Sequence, residues 1–194
     1  SGGGRALGPT SPSVSPTERV TGVFGERGSR AGSVTRRSVR GASNGSRSSS
    51  GTGASGSPSG RSPRVLFCDD ERTLRRVAAR MLKQIGCEFV TLEDGDEVPG
   101  ALRTAEDAGT PFDLLLLDIN MVRTNGVDVC RELREKLGYR DLPIVPATGN
   151  ASAADMSKYL AAGFTDDVLA KPYSVNDLRE CVQRQCPGLH VRLL

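Results

Sequence analysis

Five side chains of this sequence stand at the ends of short apolar runs and are of types that suit phosphate chemistry. In chain order they are Asp69 and Asp70 after the first run, Asp118 after the third, Thr148 after the fourth and Lys171 after the fifth. Three neighbouring carboxylates repel one another, and a hard divalent cation such as Mg²⁺, which prefers oxygen ligands, relieves that repulsion. A lysine and a hydroxyl group can bind phosphate oxygens. The set therefore predicts a phosphoryl-transfer site with a metal ion.

Asp118 is the candidate nucleophile. A carboxylate beside a metal ion can attack phosphorus and form an acyl phosphate. Each residue alone has a simpler explanation, since a single aspartate after a strand is often a helix N-cap and a Lys-Pro pair is often a turn. The occurrence of all of them at successive strand ends favours the functional interpretation.

Apolar periodicity predicts the elements that position these residues. Continuous apolar runs indicate strands at residues 65–68, 88–92, 112–117, 143–147 and 167–170. Apolar residues spaced by three and four indicate helices from about residue 74, within 96–108, and at 127–137, 153–162 and 175–185. Pro99 predicts an irregular first turn in the second helix. Pro146 predicts a local irregularity in the fourth strand, because proline cannot donate a ladder hydrogen bond.

Strands that alternate with helices at this spacing form βαβ units. The predicted fold class is therefore α/β, with a doubly wound, five-stranded parallel sheet and five helices. The carboxyl ends of parallel strands meet at one edge of such a sheet, and ligands bind there. We therefore expect the polar residues at the strand ends to converge.

Composition divides the chain into two parts. Residues 1–64 contain 14 glycines, 16 serines and 5 prolines, and their ten arginines and two glutamates give a charge of +8. Residues 65–194 carry 16 basic and 21 acidic side chains, a charge of −5. The first part has too few large apolar side chains to offset its ordering entropy. These features predict a disordered Gly/Ser/Arg-rich linker or tail at 1–62, a folded domain at 63–188 and a short C-terminal tail at 189–194.

The dispersed arginines of the tail suit a solvated linker or a non-specific contact with a polyanion, either RNA or an anionic membrane face. No specific nucleic-acid binding is predicted. No apolar run approaches the roughly 20 residues of a membrane span. The cysteines, five in number and without CxxC spacing, are expected to be small buried residues in a reducing compartment, which favours a cytoplasmic or nuclear location.

The polar residues and the runs before them resemble the receiver domain of response regulators in two-component phosphorelays. The matching segments are VLFCDDE at 65–71, LLLLDINM at 114–121, ATGN at 147–150 and LAKPYS at 169–174. The resemblance covers residues 63–187. It implies a flavodoxin-like sheet of order 2-1-3-4-5, and a role in phosphorelay signal transduction in which Asp118 accepts a phosphoryl group from a phosphohistidine.

The resemblance also implies a set of metal ligands. Asp70 would bind Mg²⁺ directly and Asp69 would bind it through water. The backbone carbonyl of Asn120 would complete the site beside Asp118. Receivers of this family catalyse their own phosphorylation and dephosphorylation. Any enzymatic activity is therefore expected to act on the receiver itself, and no kinase core is predicted in residues 1–194.

Further roles are implied for the phosphorylated state. Thr148 would turn toward the phosphoryl group and Lys171 would contact it, with a cis peptide bond between Lys171 and Pro172. The residues two positions after Asp118 and Thr148 tune hydrolysis in the family. Here they are Asn120 and Asn150, which offer no general base and predict an intermediate lifetime.

Two departures from the family pattern affect these expectations. Val122 stands where proline is common, which predicts a looser loop after the phosphoacceptor. Val168 stands where many members carry the aromatic residue that moves with the switch threonine. Val168 therefore argues against a switch in which Thr148 moves together with an aromatic side chain at position 168.

The chain begins without methionine, and few residues follow the last predicted helix. With its long low-complexity tail, it resembles the C-terminal receiver of a eukaryotic-type hybrid sensor histidine kinase, whose partners are the kinase and a histidine-phosphotransfer protein. The alternatives are a stand-alone single-domain regulator and a pseudo-receiver that binds partners without carrying phosphate. Haloalkanoate-dehalogenase-like phosphatases also use an aspartyl nucleophile, but they need an acid where this chain has Asn120.

Overall fold

The computed structural model describes residues 60–192, in which five strands and five helices alternate as predicted. The strands are β1 (Arg64–Cys68), β2 (Glu88–Leu92), β3 (Leu114–Asp118), β4 (Ile144–Thr148) and β5 (Leu169–Ala170). The helices are α1 (Arg72–Gln84), α2 (Val98–Asp107), α3 (Gly126–Glu135), α4 (Ala153–Ala162) and α5 (Val175–Gln185). A 3₁₀ turn, Gly95–Glu97, precedes α2 where an irregular turn is predicted. Most of the predicted tail, residues 1–59, lies outside the described residues, as do residues 193 and 194.

The strands form one parallel sheet in the order β2-β1-β3-β4-β5. This confirms the doubly wound, flavodoxin-like topology. All five residues of β3 are buried, and the strand pairs with β1 and β4 through contacts such as Leu66 with Leu115 and Leu117 with Pro146. Because both faces of β3 are covered by helices, it has a continuous leucine run instead of an alternating pattern.

Helices cover both faces of the sheet. Successive residues of a strand point to opposite faces. Phe67 of β1 therefore lies in the cluster that includes Leu82 of α1 and residues of α5. Its neighbour Leu66 lies in the cluster that includes Leu133 of α3 and residues of α2 and α4. These two apolar layers fix the strand ends on which the polar residues stand.

The last strand is shorter than the sequence predicts. Of the predicted residues 167–170, only Leu169–Ala170 pair with β4. The carbonyl groups of Ile144 and Thr148 accept hydrogen bonds from the segment that includes β5. Pro146 lies between them and faces the same side, where it has no N–H to donate. The irregularity predicted in the fourth strand is wrong, since β4 is continuous through Pro146. The missing N–H of Pro146 coincides instead with the short pairing of the neighbouring strand.

Asp167 lies outside the ladder and pairs with α5 instead. Its carboxylate accepts hydrogen bonds from Nε and Nη2 of Arg184, each at 3.0 Å, and from Gln185 at 3.2 Å. Burial alone would raise the pKa of Asp167, but these hydrogen bonds outweigh burial and lower the pKa below its ordinary value.

We expect Asp167 to contribute to stability in a pH-dependent way. Because its pKa is lowered by folding, its contribution is fully present above the unfolded value of about 3.9 and is lost as pH falls through the folded value. Asp167→Asn should lower the free energy of unfolding by about 1 kcal/mol at neutral pH, and the difference from wild type should shrink in acid. Urea denaturation at a series of pH values measures this, with the exposed Asp166→Asn as the control. A difference that stays constant with pH would contradict the expectation.

Residues on both sides of the predicted range 63–188 contact the folded domain. Two guanidinium nitrogens of Arg61 lie 2.6 and 2.7 Å from the carboxylate of Asp113. The carbonyl of Arg61 accepts a hydrogen bond from the His190 N–H. Leu189 and Val191 pack against the cluster formed by α1 and α5. Both ends of the described chain therefore contact the domain beyond the predicted boundaries.

All five cysteines are free and buried, as predicted. Burial raises the pKa of their thiols, for example of Cys130 to about 11, so that the unreactive thiol form dominates at neutral pH.

Between residues 60 and 192, no helix combines the length and apolar character that crossing a membrane requires.

Candidate functional site

The polar residues predicted at the strand ends meet at the carboxyl edge of the sheet. Asp69 follows β1, Asp118 ends β3 and Lys171 follows β5. Lys171 Nζ lies 2.7 Å from Asp69 Oδ2 and 3.0 Å from Asp118 Oδ1. Asp69 and Lys171 are 102 residues apart in the chain. The alignment of parallel strand ends is what brings them together, as the sequence predicts.

Asp70 completes a group of three carboxylates. One oxygen from each of Asp69, Asp70 and Asp118 can be chosen so that all lie within 4.8 Å of one another. Asp69 is 0% exposed and Asp118 is 5% exposed, whereas Asp70 is half-buried. Burying carboxylates together costs free energy unless a cation or hydrogen bonds compensate.

Lys171 compensates only part of this charge. Burial raises the pKa of Asp118, and repulsion by Asp69 adds to this effect, while Lys171 opposes it without cancelling it. For Lys171, burial alone would lower the pKa, but hydrogen bonds and charge attraction from Asp69 and Asp118 outweigh burial and raise it. The ammonium group is therefore charged at neutral pH, and the site retains an excess of negative charge.

The donor set fits a hard divalent cation. Carboxylate oxygens are the ligands that Mg²⁺ prefers in proteins. Backbone N–H groups orient two of the carboxylates: Glu71 donates to Asp69 Oδ1 at 2.9 Å, and Val122 donates to Asp70 Oδ2 at 2.8 Å. Each of these carboxylates thus has a defined position before any ion binds.

The loop after Asp118 is tight. The Asn120 N–H donates to Asp118 Oδ1 at 3.4 Å, which places the backbone of Asn120 beside the carboxylate. The Gly126 N–H donates to the Ile119 carbonyl at 3.0 Å. A Cβ atom at Gly126 would overlap the carbonyl oxygen of Asp118, so the chain can return this closely only at a glycine. The side chain of Asn125 then caps α3 by accepting the Val127 N–H.

Thr148, at the end of β4, is fully buried. Its Oγ1 accepts the Asn150 N–H at 3.1 Å and lies 3.5 Å from the hydroxyl of Tyr159 on α4. The Tyr159 hydroxyl donates to the Asn150 carbonyl at 3.1 Å. The aromatic residue beside Thr148 therefore comes from α4, and not from the position of Val168. Sequence reasoning missed Tyr159, because its helical spacing indicates only a core residue.

Arg75 on α1 was also missed. One of its guanidinium nitrogens donates to the backbone carbonyls of Asp69 and Asp70, both at 2.8 Å, and another donates to Glu93 at 3.2 Å. Arg75 therefore holds the main chain of the acidic pair in place. The sequence contains no signal for this contact beyond the proximity of an arginine to the acidic pair. The Lys171–Pro172 peptide bond is cis, as the family resemblance implies.

Comparison with protein families and curated proteins gives a consistent match. A family model described as the response regulator receiver domain matches residues 65–183. Protein PilG of Pseudomonas aeruginosa is 27% identical over 125 residues, which cover 64% of this chain and 88% of PilG. Other curated relatives are longer, and the chain spans only 16% of one and 44% of another.

Solved structures show the same similarity. Chemotaxis protein CheY4 of Vibrio cholerae superposes with a TM-score of 0.56 at 30% identity, over 63% of this chain and 98% of CheY4. The receiver domain of sensor histidine kinase PA1611 from Pseudomonas aeruginosa PAO1 has a magnesium ion coordinated in its active site cleft. It superposes with a TM-score of 0.54 at 30% identity, over 64% of this chain and 97% of that domain.

Proposed function

Because the chain belongs to the response regulator receiver domain family, we propose that Asp118 accepts a phosphoryl group from a phosphohistidine in the presence of Mg²⁺. The observation that carries this proposal is the contact of Lys171 with both Asp69 and Asp118, beside Asp70. Three carboxylates and a lysine at one sheet edge are an expensive arrangement for the fold alone. Perturbed ionisable groups of this kind are typical of functional sites.

The proposed transfer is a nucleophilic displacement at phosphorus. A carboxylate oxygen of Asp118 attacks in line with the P–N bond of the phosphohistidine, and its lone pair forms the new O–P bond. The P–N electron pair returns to the imidazole, which leaves neutral because its other nitrogen carries a proton. The product is an acyl phosphate on Asp118. Transfer to a second histidine, or hydrolysis by water, breaks the O–P bond again.

Lys171 and Thr148 serve the phosphoryl group in this proposal. When Asp118 is phosphorylated, its negative charge moves to the phosphoryl oxygens, and Lys171 donates to one of them as a point charge. Thr148 donates its hydroxyl to another. The Thr148 oxygen accepts the Asn150 N–H at 3.1 Å, so turning toward the phosphoryl group exchanges that contact for a new one.

Asp69, Asp70, Asp118 and the backbone carbonyl of Asn120 would hold the metal ion, with Asp70 as a direct ligand and Asp69 binding through water. Bound there, Mg²⁺ would neutralise charge on the transferring phosphoryl oxygens. The proposal is supported by the spacing of the three carboxylates within 4.8 Å and by the magnesium ion in the similar PA1611 receiver domain.

Hydrolysis of the acyl phosphate is expected to be neither very fast nor very slow. Asn120 and Asn150 occupy the positions that face the attacking water in the proposed mechanism. Neither amide can remove a proton from water, since an amide is not a general base at neutral pH.

We propose that the donor is a histidine kinase and the recipient a histidine-phosphotransfer protein, with the receiver forming part of a cytoplasmic hybrid sensor histidine kinase. This context is supported by similarity to the receiver domain of a sensor histidine kinase. A stand-alone regulator is the second candidate, favoured by a match that covers 98% of CheY4. The gene sequence upstream of residue 1 distinguishes them, because a hybrid kinase has an ATP-binding kinase core in the same reading frame.

Phosphorylation by a small-molecule donor tests the proposed function. The protein of residues 1–194 incubated with acetyl phosphate and Mg²⁺ should gain a single phosphoryl group by intact mass, and hydroxylamine should remove it. EDTA should abolish the addition, because the carboxylates then repel the incoming phosphate. Absence of the addition, together with absence of Mg²⁺ binding, would contradict the proposal and leave a pseudo-receiver that acts as a binding module.

A further inference from the structure

Asp94, between β2 and α2, is a buried carboxylate outside the group of three described above. It is 2% exposed, and both of its oxygens accept hydrogen bonds from the loop after Asp118. The Thr124 hydroxyl donates to Oδ1 at 2.6 Å and the Arg123 Nε donates to Oδ2 at 2.8 Å. Asp94, Arg123 and Thr124 together form the Asp94 cluster. Arg123 and Thr124 follow Asp94 in the chain by 29 and 30 residues, so the cluster connects two separate loops.

Gly95 brings these two loops into close contact. Its N–H donates to the Thr124 hydroxyl oxygen at 3.0 Å. A Cβ atom at Gly95 would lie 2.5 Å from that oxygen and 2.6 Å from a methyl carbon of Val129. The Thr124 hydroxyl therefore accepts one hydrogen bond and donates another. Both depend on a close approach that a side chain at position 95 would prevent.

The Asp94 cluster holds the segment that reaches Asp70. Val122, next to Arg123, donates its N–H to Asp70 Oδ2 at 2.8 Å, but its side chain is 90% exposed. Packing of the Val122 side chain therefore contributes little to the position of this N–H. The contacts nearest in sequence are that of Met121 Sδ with Cys68 Sγ at 3.7 Å and those of Arg123 and Thr124 with Asp94. The contacts with Asp94 are charged or hydroxyl hydrogen bonds with defined directions, and they hold the side of the loop that follows Val122. The looser loop that Val122 predicts from sequence stays a prediction.

We propose that Asp94 is a positioning residue for Asp70. Through Thr124 and Arg123 it fixes the loop after Asp118, and the loop places the Val122 N–H on one carboxylate oxygen of Asp70. The other oxygen then has a defined direction for binding a cation. This inference rests on the proposed function of Asp70 as a Mg²⁺ ligand, and it adds a residue that touches neither the ion nor the phosphoryl group.

The Mg²⁺ affinity of the protein of residues 1–194 tests the inference. Asp94→Asn should weaken Mg²⁺ binding by about tenfold, the lower end of the effect of residues that orient metal ligands. Calorimetric titration is carried out at a temperature where unfolding curves show both proteins to be folded, so that lost stability alone does not change the dissociation constant. Asp96→Asn is the matched control, because Asp96 lies 3.6 Å from the same Arg123 but is 57% exposed, and the Thr124 hydroxyl donates to Asp94 instead.

A second measurement follows the Val122 amide by NMR in the absence of Mg²⁺. The hydrogen exchange of this amide should accelerate in Asp94→Asn. It should also accelerate in Thr124→Val, a milder variant that removes only a hydroxyl group and serves as the test if Asp94→Asn does not fold. Unchanged Mg²⁺ affinity in the folded variants would overturn the inference, even if the amide exchanges faster. A wild-type protein that binds no Mg²⁺ would instead contradict the proposed function of the site.

Discussion

Replacing Asp118 with asparagine is expected to abolish the single phosphoryl addition that wild-type protein gains from acetyl phosphate and Mg²⁺. An amide oxygen is a poor nucleophile toward phosphorus, and Asp69, the other carboxylate that Lys171 contacts, is fully buried. The measurement is intact mass after a fixed incubation, with the exposed Asp128→Asn on α3 as a control that should be phosphorylated like wild type.

The same substitution is expected to leave stability at neutral pH equal to or above that of wild type. Because folding raises the pKa of Asp118, stability is lost as pH rises above the unfolded value of about 3.9, and the loss is complete above the folded pKa. Removing that charge removes the penalty. A variant that still gains a hydroxylamine-labile phosphoryl group would show that Asp118 is not the acceptor.

Replacing Lys171 with methionine is expected to reduce the phosphorylated fraction at least about tenfold and to destabilise the protein in the absence of Mg²⁺. Lys171 lies within 3.0 Å of two buried carboxylates. Removing one partner of a buried ion pair leaves uncompensated charge and costs on the order of 3 kcal/mol. Saturating Mg²⁺ should restore part of the lost stability, because the ion compensates the same carboxylates.

The measurements are urea denaturation with and without Mg²⁺ and intact mass after acetyl phosphate. Lys158→Met is the control, since Lys158 is 72% exposed and pairs with Asp155 on its own helix, away from the carboxylates of the site. Lys171→Met should cost less stability in the Asp118→Asn background than in the wild-type background, because one unpaired carboxylate is gone. Equal costs in both backgrounds would show that Lys171 and Asp118 are not coupled.

Apolar pattern alone predicts the strands and helices that carry the site. The leucine run of β3 and the polar residue that ends each strand determine which side chains meet, because parallel strands align their carboxyl ends. The strand order depends on the family resemblance, since periodicity does not specify which strands are neighbours. The length of β5 was not predictable from its own residues, because Pro146 in β4 and the Asp167–Arg184 pair limit it.

The side chains that support the site were harder to predict. Arg75, Tyr159 and Asp94 each form at least two hydrogen bonds with atoms of neighbouring loops. Such contacts depend on where a loop places one atom, and neither periodicity nor composition contains that information. Residues that must stand at a strand end were therefore found, whereas residues that hold a neighbouring loop were not.

The shortness of β5 affects how the site can come apart. Only two residues of β5 pair with β4, and Lys171 follows them directly. Segments held by few ladder hydrogen bonds open locally at a lower free energy than the whole domain unfolds. We expect opening of β5 to carry Lys171 away from Asp69 and Asp118 while the other four strands stay paired. The availability of this lysine should then depend on a local equilibrium at the edge of the sheet as well as on the stability of the domain.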